Sequence, residues 1–340
     1  EEYNVRRYDI ERLNQISAGC ADAVPASDLS AVACLRVVDD PAQAGIWIVP
    51  MDGEPHPVAL CHDMGQILGA TSPPALSDPR WSPNGVWLAF ATHEGMPPGE
   101  HHRLWAVHAD GSDAPRILHS SVGVIAGYRW SPDGAFIAVA DSEAGLLIIR
   151  RETGEAITVD VQAMRYPLGE NAMAWIGDDT LVYNSLAEGQ SGLWGVELGT
   201  DNQRLLWETE LDEIALPGWS GAQIWGALRG NSRDPAQSVA LMVWRGAGAD
   251  LEVYTLPNAE FDPAAKLLPT SDGTMWAFTV WREGRRVPWV VGLPEGKACE
   301  IECPHSLDCL VGWLEEPRSL LASLGAAHFV GLDVPSKTET

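Results

Sequence analysis

The sequence predicts an all-β fold built from one short unit repeated about seven times. The first observation is a pair of similar segments, "RWSPNGVWLAFAT" and "YRWSPDGAFIAVAD", each with a tryptophan, a tight turn and a strand. The second is that weaker copies recur at steps of 44 to 56 residues. The third is that similar apolar strands follow each copy in the same order. A repeat of about 40 to 50 residues is typical of propeller blades, so we predict a closed β-propeller of four-stranded blades.

Each copy of the unit is marked by an anchor residue at its turn. Five copies keep the tryptophan, and these are Trp81, Trp130, Trp175, Trp219 and Trp313. Two more keep the turn and lose the tryptophan, at Pro25 and Pro269. The indole is expected to fill the gap between neighbouring sheets, while Pro, Asp or Asn, and Gly close the turn. Seven anchors favour seven blades, with six as the alternative.

The strands after each anchor support this alignment. Examples are "GIWIVPMDG", "RLWAVHADG" and "GLLIIRRETG", which run apolar and stop at Gly, Asp or Pro. After Trp313 only two strands fit before the tail at 335–340. The N-terminal residues 1–10 are therefore expected to form the strand that completes the last blade and closes the ring, since an open stack would expose strand edges. Residues 1–340 are predicted to be a single propeller domain.

"WSPDGAFIAVAD" and "WSPNGVWLAFAT" resemble the WD40-like or TolB-like propeller repeats, which share the WSPDG turn with the propeller of prolyl oligopeptidases. The resemblance covers about two blades, roughly residues 75 to 165, and TolB-like propellers usually have six blades. It implies a role in protein contacts. Prolyl oligopeptidases carry their catalytic triad in a separate α/β domain, so the resemblance implies the fold and no catalytic residues here. No GxSxG motif occurs in the chain.

Charge and hydropathy limit the partners. The formal net charge of −25 argues against nucleic acid, which requires a positive surface. No apolar run approaches the roughly 20 residues that cross a bilayer. The chain begins Glu1-Glu2 without an initiator methionine, which leads us to expect a preceding segment such as a signal peptide or an anchor. Membrane contact is expected only through such an anchor or through a partner.

The six cysteines lie near the two ends of the chain and suggest disulfides in an extracytoplasmic protein, periplasmic or on the cell surface. We expect a Cys20–Cys34 bridge and a second bridge within the group Cys299, Cys303 and Cys309. Two alternatives stay open for that group. The first alternative is that these cysteines are buried free thiols. The second is that they bind a metal ion together with His305.

A second candidate metal site is the stretch "THEGMPPGEHHRLW", which places His93, Glu94, His101 and His102 around one Gly/Pro-rich loop. Imidazoles and carboxylates on a loop can converge on a divalent cation, and no other cofactor is predicted. The alternative is an ordinary polar loop in solvent.

The remaining tryptophans fall into two groups. One group recurs at a single strand position and is expected to pack between blades: Trp47, Trp105, Trp194 and Trp289. The other is less regular, and any exposed aromatic patch is expected there: Trp87, Trp225, Trp244, Trp276 and Trp281.

The leading hypothesis for function is a non-catalytic propeller that acts as a protein-interaction subunit or sensor module of an extracytoplasmic assembly. Its contacts are expected on long loops such as 62–80 and 93–102. One alternative is a propeller enzyme, or a binder of a small ligand or cation, with its site in the central channel. The other is a packing role in a filament or layer.

Overall fold

The computed structural model is almost entirely antiparallel β-sheet. It describes residues 2–40, 42–70, 73–94, 101–160, 169–187, 190–200, 203–209, 213–221, 224–231, 239–245, 251–256, 258–293, 297–303, 307–314, 319–325 and 327–334.

The chain packs as two compact units, of which the first comprises residues 1–161 and 325–329. It contains helices α1 (Glu2–Ser17) and α2 (Cys61–Leu68) and three four-stranded sheets. The first sheet is β1 (Asp22–Pro25), β2 (Ala31–Arg36), β3 (Gly45–Pro50) and β4 (His56–Leu60). The second is β5 (Ala75–Trp81), β6 (Trp87–Glu94), β7 (His101–His108) and β8 (Arg116–Ser121). The third is β9 (Ile125–Trp130), β10 (Phe136–Asp141), β11 (Gly145–Arg150) and β12 (Ala156–Asp160).

The second unit comprises residues 162–324 and 330–340. A short 3-10 helix (Gly169–Ala172) precedes the fourth sheet, which is β13 (Met173–Ile176), β14 (Thr180–Ala187), β15 (Gln190–Glu197) and β16 (Gln203–Glu208). The fifth is β17 (Glu213–Trp219), β18 (Trp225–Asn231), β19 (Val239–Trp244) and β20 (Glu252–Leu256). The sixth is β21 (Leu268–Pro269), β22 (Met275–Arg282), β23 (Arg285–Gly292) and β24 (Lys297–Glu300). The seventh, with three strands described, is β25 (Cys309–Leu314), β26 (Ser319–Ser323) and β27 (Phe329–Asp333).

Strands follow one another in chain order within every sheet, which is the arrangement of propeller blades. The predicted fold class is confirmed, and the blade number is seven rather than six. All seven anchors lie at the end of the first strand of a sheet or one residue before it.

The anchor tryptophans link neighbouring sheets by a hydrogen bond as well as by packing. In three cases the indole N–H donates to a backbone oxygen in the first strand of the preceding sheet. The pairs are Trp81 to Val24 at 2.9 Å, Trp130 to Arg80 at 3.2 Å and Trp313 to Leu268 at 2.9 Å. A large apolar ring with one polar atom thus spans each of these gaps without leaving that atom unsatisfied.

The residue after the anchor organises the turn. The Ser131 hydroxyl lies 2.5 Å from Asp133 Oδ1 and accepts the N–H of Phe136 at 2.9 Å, while Asp133 accepts the N–H of Ala135 at 2.9 Å. The same bonds recur in two other turns, with Ser82, Asn84, Val86 and Trp87 and with Thr270, Asp272, Thr274 and Met275. The repeated letters therefore encode a repeated set of side-chain to backbone bonds.

The predicted N-terminal strand is wrong, because residues 2–17 form helix α1. The buried positions Leu13 and Ser17 are four residues apart, with the half-buried Ile10 three residues earlier. This is the spacing of one helical face and not the alternation of a strand. The first strand of the first sheet is accordingly Asp22–Pro25.

The Asn14 side chain of helix α1 bonds to a single residue of its own unit, Phe329. The Asn14 amide donates to the backbone oxygen of Phe329 at 3.0 Å and accepts the N–H of Phe329 at 2.8 Å. Phe329 belongs to the same compact unit as α1 and begins β27, an edge strand of the three-stranded sheet. One side-chain amide thus satisfies both backbone groups of an edge residue.

The hairpin between β22 and β23 offers a test of the turn chemistry. Arg282 pairs with Arg285 across a two-residue turn in which Glu283 and Gly284 have φ of 51° and 75°. Asn-Gly is the preferred pair when both positions have positive φ, since an L-residue such as Glu is strained there. We expect Glu283→Asn to raise the free energy of unfolding by about 0.5–1 kcal/mol in chemical denaturation. Glu54→Asn, at an exposed site without positive φ, should give no gain, and an equal gain there would contradict the explanation.

Candidate functional site

The structure places the four predicted metal ligands at the facing ends of β6 and β7. His93 pairs with His102 and Glu94 with His101 across the two strands. The imidazole rings of His93 and His102 stack with centroids 5.7 Å apart. The Glu94 carboxylate is engaged by Arg103. Within the described ranges no group of three or more potential ligands converges, and the loop 95–100 lies outside them, so the cation site stays a prediction.

The cysteines behave differently at the two ends of the chain. Cys20, in the turn after α1, and Cys34, in β2, form the predicted disulfide with Cα atoms 5.3 Å apart. The predicted second bridge is wrong, because Cys299, Cys303 and Cys309 are present as thiols. Cys299 and Cys303 pack against a buried apolar cluster around Leu310 and Leu320, as small apolar side chains do. Burial raises the pKa of the Cys299 thiol, and His305 lies outside the described residues.

The burial of the tryptophans follows the two predicted groups only in part. Trp105, Trp194 and Trp289 are buried, whereas Trp47 is half-buried and lies beneath the Arg36 guanidinium. Of the irregular group Trp276 is fully buried, and the other four are half-buried. Trp225 and Trp244 stack face to face with centroids 4.0 Å apart, so they pack on each other across β18 and β19.

Charged residues line the first strands of the first unit. Asp78 adopts φ of 55° at an irregularity in β5, and the Arg80 guanidinium donates to both of its carboxylate oxygens at 3.1 and 2.6 Å. The buried Tyr128 donates to the Asp78 carbonyl, and burial, followed by the charge of Asp78, raises the pKa of Tyr128. Burial, with a further contribution from Arg80, lowers the pKa of Arg129 to about 10. Cations therefore accompany the aspartate on these strands, and the predicted small-ligand or cation site in the central channel stays a prediction.

The site that the sequence did not reveal is the connection 122–124 between β8 and β9. Both its valines are exposed, Val122 at 72% and Val124 at 48%. They are two of the nine large apolar residues whose side chains are exposed in the described part of the chain. The nine are Val37, Val38, Ile67, Val86, Ile117, Val122, Val124, Ile157 and Val253.

Hydrogen bonds fix the backbone of this connection. Val124 donates its N–H to Ser142 Oγ at 2.7 Å, and its carbonyl accepts the N–H of Ser142 at 2.9 Å. Gly123 donates to Ser121 Oγ at 2.9 Å. A Cβ on Gly123 would lie 2.3 Å from Ser142 Oγ, so a side chain at this position would displace the hydroxyl that binds Val124. The two valines are thus presented on an ordered backbone.

A buried carboxylate supports the same connection from below. Asp141, with 1% of its side chain exposed, lies 2.7 Å from His119 Nε2. Burial alone would raise the pKa of Asp141, but hydrogen bonds from His119, the backbone N–H groups of Ala144 and Glu143, and Ser121 outweigh it and hold that pKa below its ordinary value. Ser121 also bonds to the carboxylate, so these four groups together hold Asp141 in place.

This cluster predicts a pH dependence. Because the pKa of Asp141 is lower in the folded chain than its ordinary 3.8, its stabilisation is present above that pH and is lost as pH falls below it. Asp141→Asn should therefore lower the free energy of unfolding by about 2 kcal/mol at pH 7. The difference from the wild type should shrink between pH 5 and pH 3 in chemical denaturation. Asp39→Asn, at an exposed aspartate, serves as the control, and a difference that stays constant down to pH 3 would contradict the assignment.

Comparisons with known proteins agree on the fold. No protein-family model and no curated protein matches the chain. Prolyl endopeptidases analysed for inter-domain dynamics superpose with a TM-score of 0.62 at 13% identity, over 98% of this chain and 53% of theirs. The β-propeller domain of the Trilobed protease from Pyrococcus furiosus, which has an open velcro topology, gives 0.56 at 14% identity over 92% and 95%. A puromycin-hydrolyzing peptidase from Mycobacterium tuberculosis gives 0.56 at 17% identity over 86% and 48%.

At these identities the likeness shows the fold alone, and the protein is a seven-bladed β-propeller. The chain spans about half the length of the two peptidases, 53% and 48%. TolB structures also match, at TM-scores of 0.44 and 0.45, so a particular likeness to TolB stays a prediction. None of the described helices has the length and apolar character needed to span a bilayer.

Proposed function

We propose that the protein is a protein-binding propeller module whose first unit contacts its partner through the connection 122–124. The observation that carries this proposal is the exposure of Val122 and Val124 on a backbone held in place by Ser121 and Ser142. Exposed apolar side chains that cluster on a surface mark contact sites more often than isolated ones do.

The rigidity of the connection strengthens the proposal. A loop that is ordered before binding loses little conformational entropy when a partner docks, so its apolar contacts contribute more fully to affinity. The Asp141 cluster lies directly beneath the loop and anchors the turn at Glu143 and Ala144 that packs against it. The buried charge is thereby explained as support for a binding surface.

The disulfide supports an extracytoplasmic location for this module. Disulfides persist in the periplasm and at cell surfaces and are reduced in most cytosols. The Cys20–Cys34 bond joins the end of α1 to the first sheet. The sequence resemblance to TolB-like repeats, which serve in protein contacts, points to the same kind of role.

Site-specific photo-cross-linking in the native host tests the proposal. The photoreactive residue p-benzoyl-phenylalanine replaces Val122, and in a matched strain it replaces Val253, which is 53% exposed on β20 of the second unit. We expect one discrete adduct from position 122, identified by mass spectrometry, and none from position 253. The absence of an adduct at 122, or the same adducts from both positions, would overturn the proposal.

A small-ligand site on the first strands is the second candidate, favoured by the grouping of Asp78, Arg80 and Arg129. It predicts that a small carboxylic acid or a divalent cation raises the melting temperature of the wild type and not that of Arg129→Gln. A panel of such compounds without any such shift would count against it.

A further inference from the structure

A cleft of about 390 Å³ opens between the second and third sheets of the first unit. Trp87 at the start of β6, Arg116 at the start of β8 and Arg151 after β11 line it. Asp113 and Glu152 stand exposed at its rim. The cleft is formed by the turns at one end of these sheets, whereas the connection 122–124 joins the opposite end of β8 to β9.

The Arg151 guanidinium lies over the Trp87 ring, 4.4 Å from its centroid, and its Nε donates to the carbonyl of Gly134 at 3.0 Å. Burial, and next the positive charge of Arg116, lower the pKa of Arg151. The two cations therefore lie close enough to repel each other.

The Arg116 guanidinium is also held by a backbone carbonyl, since its Nη1 donates to the oxygen of Glu152 at 2.6 Å. Its Nε is buried and has no hydrogen-bond partner among the described residues. No carboxylate of the described chain lies within ion-pair distance of Arg116 or Arg151, whereas Arg103, Arg245 and Arg282 each have one. Two neighbouring guanidinium groups thus retain unused donors in a protein of net charge −25.

We propose that this cleft binds a carboxylate side chain from an acidic segment of a protein partner. The planar fork of a guanidinium matches a carboxylate, and a bound carboxylate would relieve the repulsion between the two arginines. The face of Trp87 supplies apolar contact for the methylene groups beside that carboxylate. Phosphate has no methylene groups to pack on the face of Trp87, so it would make only the charged part of this contact.

The acidity of the whole chain does not prevent such binding. At about 0.15 M salt, charges more than about 8 Å apart in solvent are largely screened. The local pair of arginines therefore outweighs the distant carboxylates. The inference depends on the proposed function only in assigning the acidic segment to a protein.

Calorimetric titration with free peptides tests the inference. The probes are a capped hexaglutamate, a capped hexaglutamine and inorganic phosphate at 0.15 M salt, against the whole chain. We expect hexaglutamate to bind the wild type, and hexaglutamine and phosphate to bind at least tenfold more weakly. Arg116→Gln and Arg151→Gln should each weaken hexaglutamate binding at least tenfold. Arg245→Gln, which removes an arginine already paired with Glu252, should leave it unchanged.

The variants Arg116→Lys and Arg151→Lys control for misfolding, because lysine keeps the positive charge and lacks the planar guanidinium group. Both should bind hexaglutamate with an affinity between those of the wild type and the glutamine variants. Failure of hexaglutamate to bind, preference for phosphate, or equal losses in Arg245→Gln would overturn the inference. Val122→Asp should not alter peptide binding. A missing cross-link at position 122 together with intact peptide binding would therefore count against the connection 122–124 alone.

Discussion

Replacing Trp130 by alanine is expected to lower the free energy of unfolding by about 3–5 kcal/mol, the usual cost of removing a buried aromatic side chain. The ring is 6% exposed and packs in the cluster that includes Ile137 and Val139. Its N–H bond to Arg80 also joins two sheets, so the substitution leaves a cavity and a backbone carbonyl without its partner.

Phenylalanine variants separate packing from the hydrogen bond. Trp219 holds the equivalent position in the fifth sheet, yet its indole nitrogen is buried without a partner among the described residues. Trp130→Phe should therefore cost about 1 kcal/mol more than Trp219→Phe in chemical denaturation followed by circular dichroism. An equal decrease of the free energy of unfolding in the two variants would show that the indole N–H bond does not stabilise the contact between the sheets.

Removing the Cys20–Cys34 disulfide is expected to lower the free energy of unfolding by about 3 kcal/mol, the value for a closed loop of about 15 residues. The two cysteines are 14 positions apart, and the bond fixes the end of α1 to β2. Without it the unfolded chain gains conformational freedom, and the end of α1 loses its cross-link to β2.

The measurement compares chemical denaturation of Cys20→Ala/Cys34→Ala with the wild type, with and without reductant. Reductant should destabilise the wild type and not the double variant. Cys61→Ala and Cys299→Ala, which remove thiols, should still respond to reductant as the wild type does. A wild type whose unfolding is unaffected by reductant would contradict the role given to this bond.

The repeat could be predicted because its chemistry is local. Ser131, Asp133 and Phe136 lie within six positions of one another, and the bonds among them form in any chain that makes this turn. The equivalent residues at Ser82 and Thr270 are recognisable for the same reason. A motif whose contacts lie within one turn can be identified in the sequence without knowledge of the surrounding fold.

The N-terminal helix could be predicted only from its local pattern, because the closure of the ring predicts a strand for the same residues. The need for a fourth strand in the last sheet suggested a strand at 1–10, although the spacing of Ile10, Leu13 and Ser17 is helical. The structure satisfies the edge residue Phe329 with one amide from Asn14. Nothing in the sequence marks that contact, since 315 positions separate the two residues.

The candidate surfaces could not be predicted, because exposure depends on tertiary contacts. Val122 and Val124 belong to "SSVGVIAGY", whose run of small and apolar residues is similar to those of the buried strands nearby. His119 and Asp141 are 22 positions apart and lie in different sheets, so they meet only when the second and third sheets pack together. The one sequence feature that points to this connection is Gly123 between two valines, because a glycine within a strand-like segment often marks a place where another group lies close to the backbone.

The affinity of the partner identified by cross-linking tests the central claim most directly. Its dissociation constant is measured for the wild type, Val122→Asp and Val253→Asp, with melting temperatures recorded to verify folding. The proposed function predicts at least tenfold weaker binding, about 1.4 kcal/mol, for Val122→Asp and no change for Val253→Asp. Unchanged affinity of Val122→Asp, or an equal loss in both variants, would contradict it.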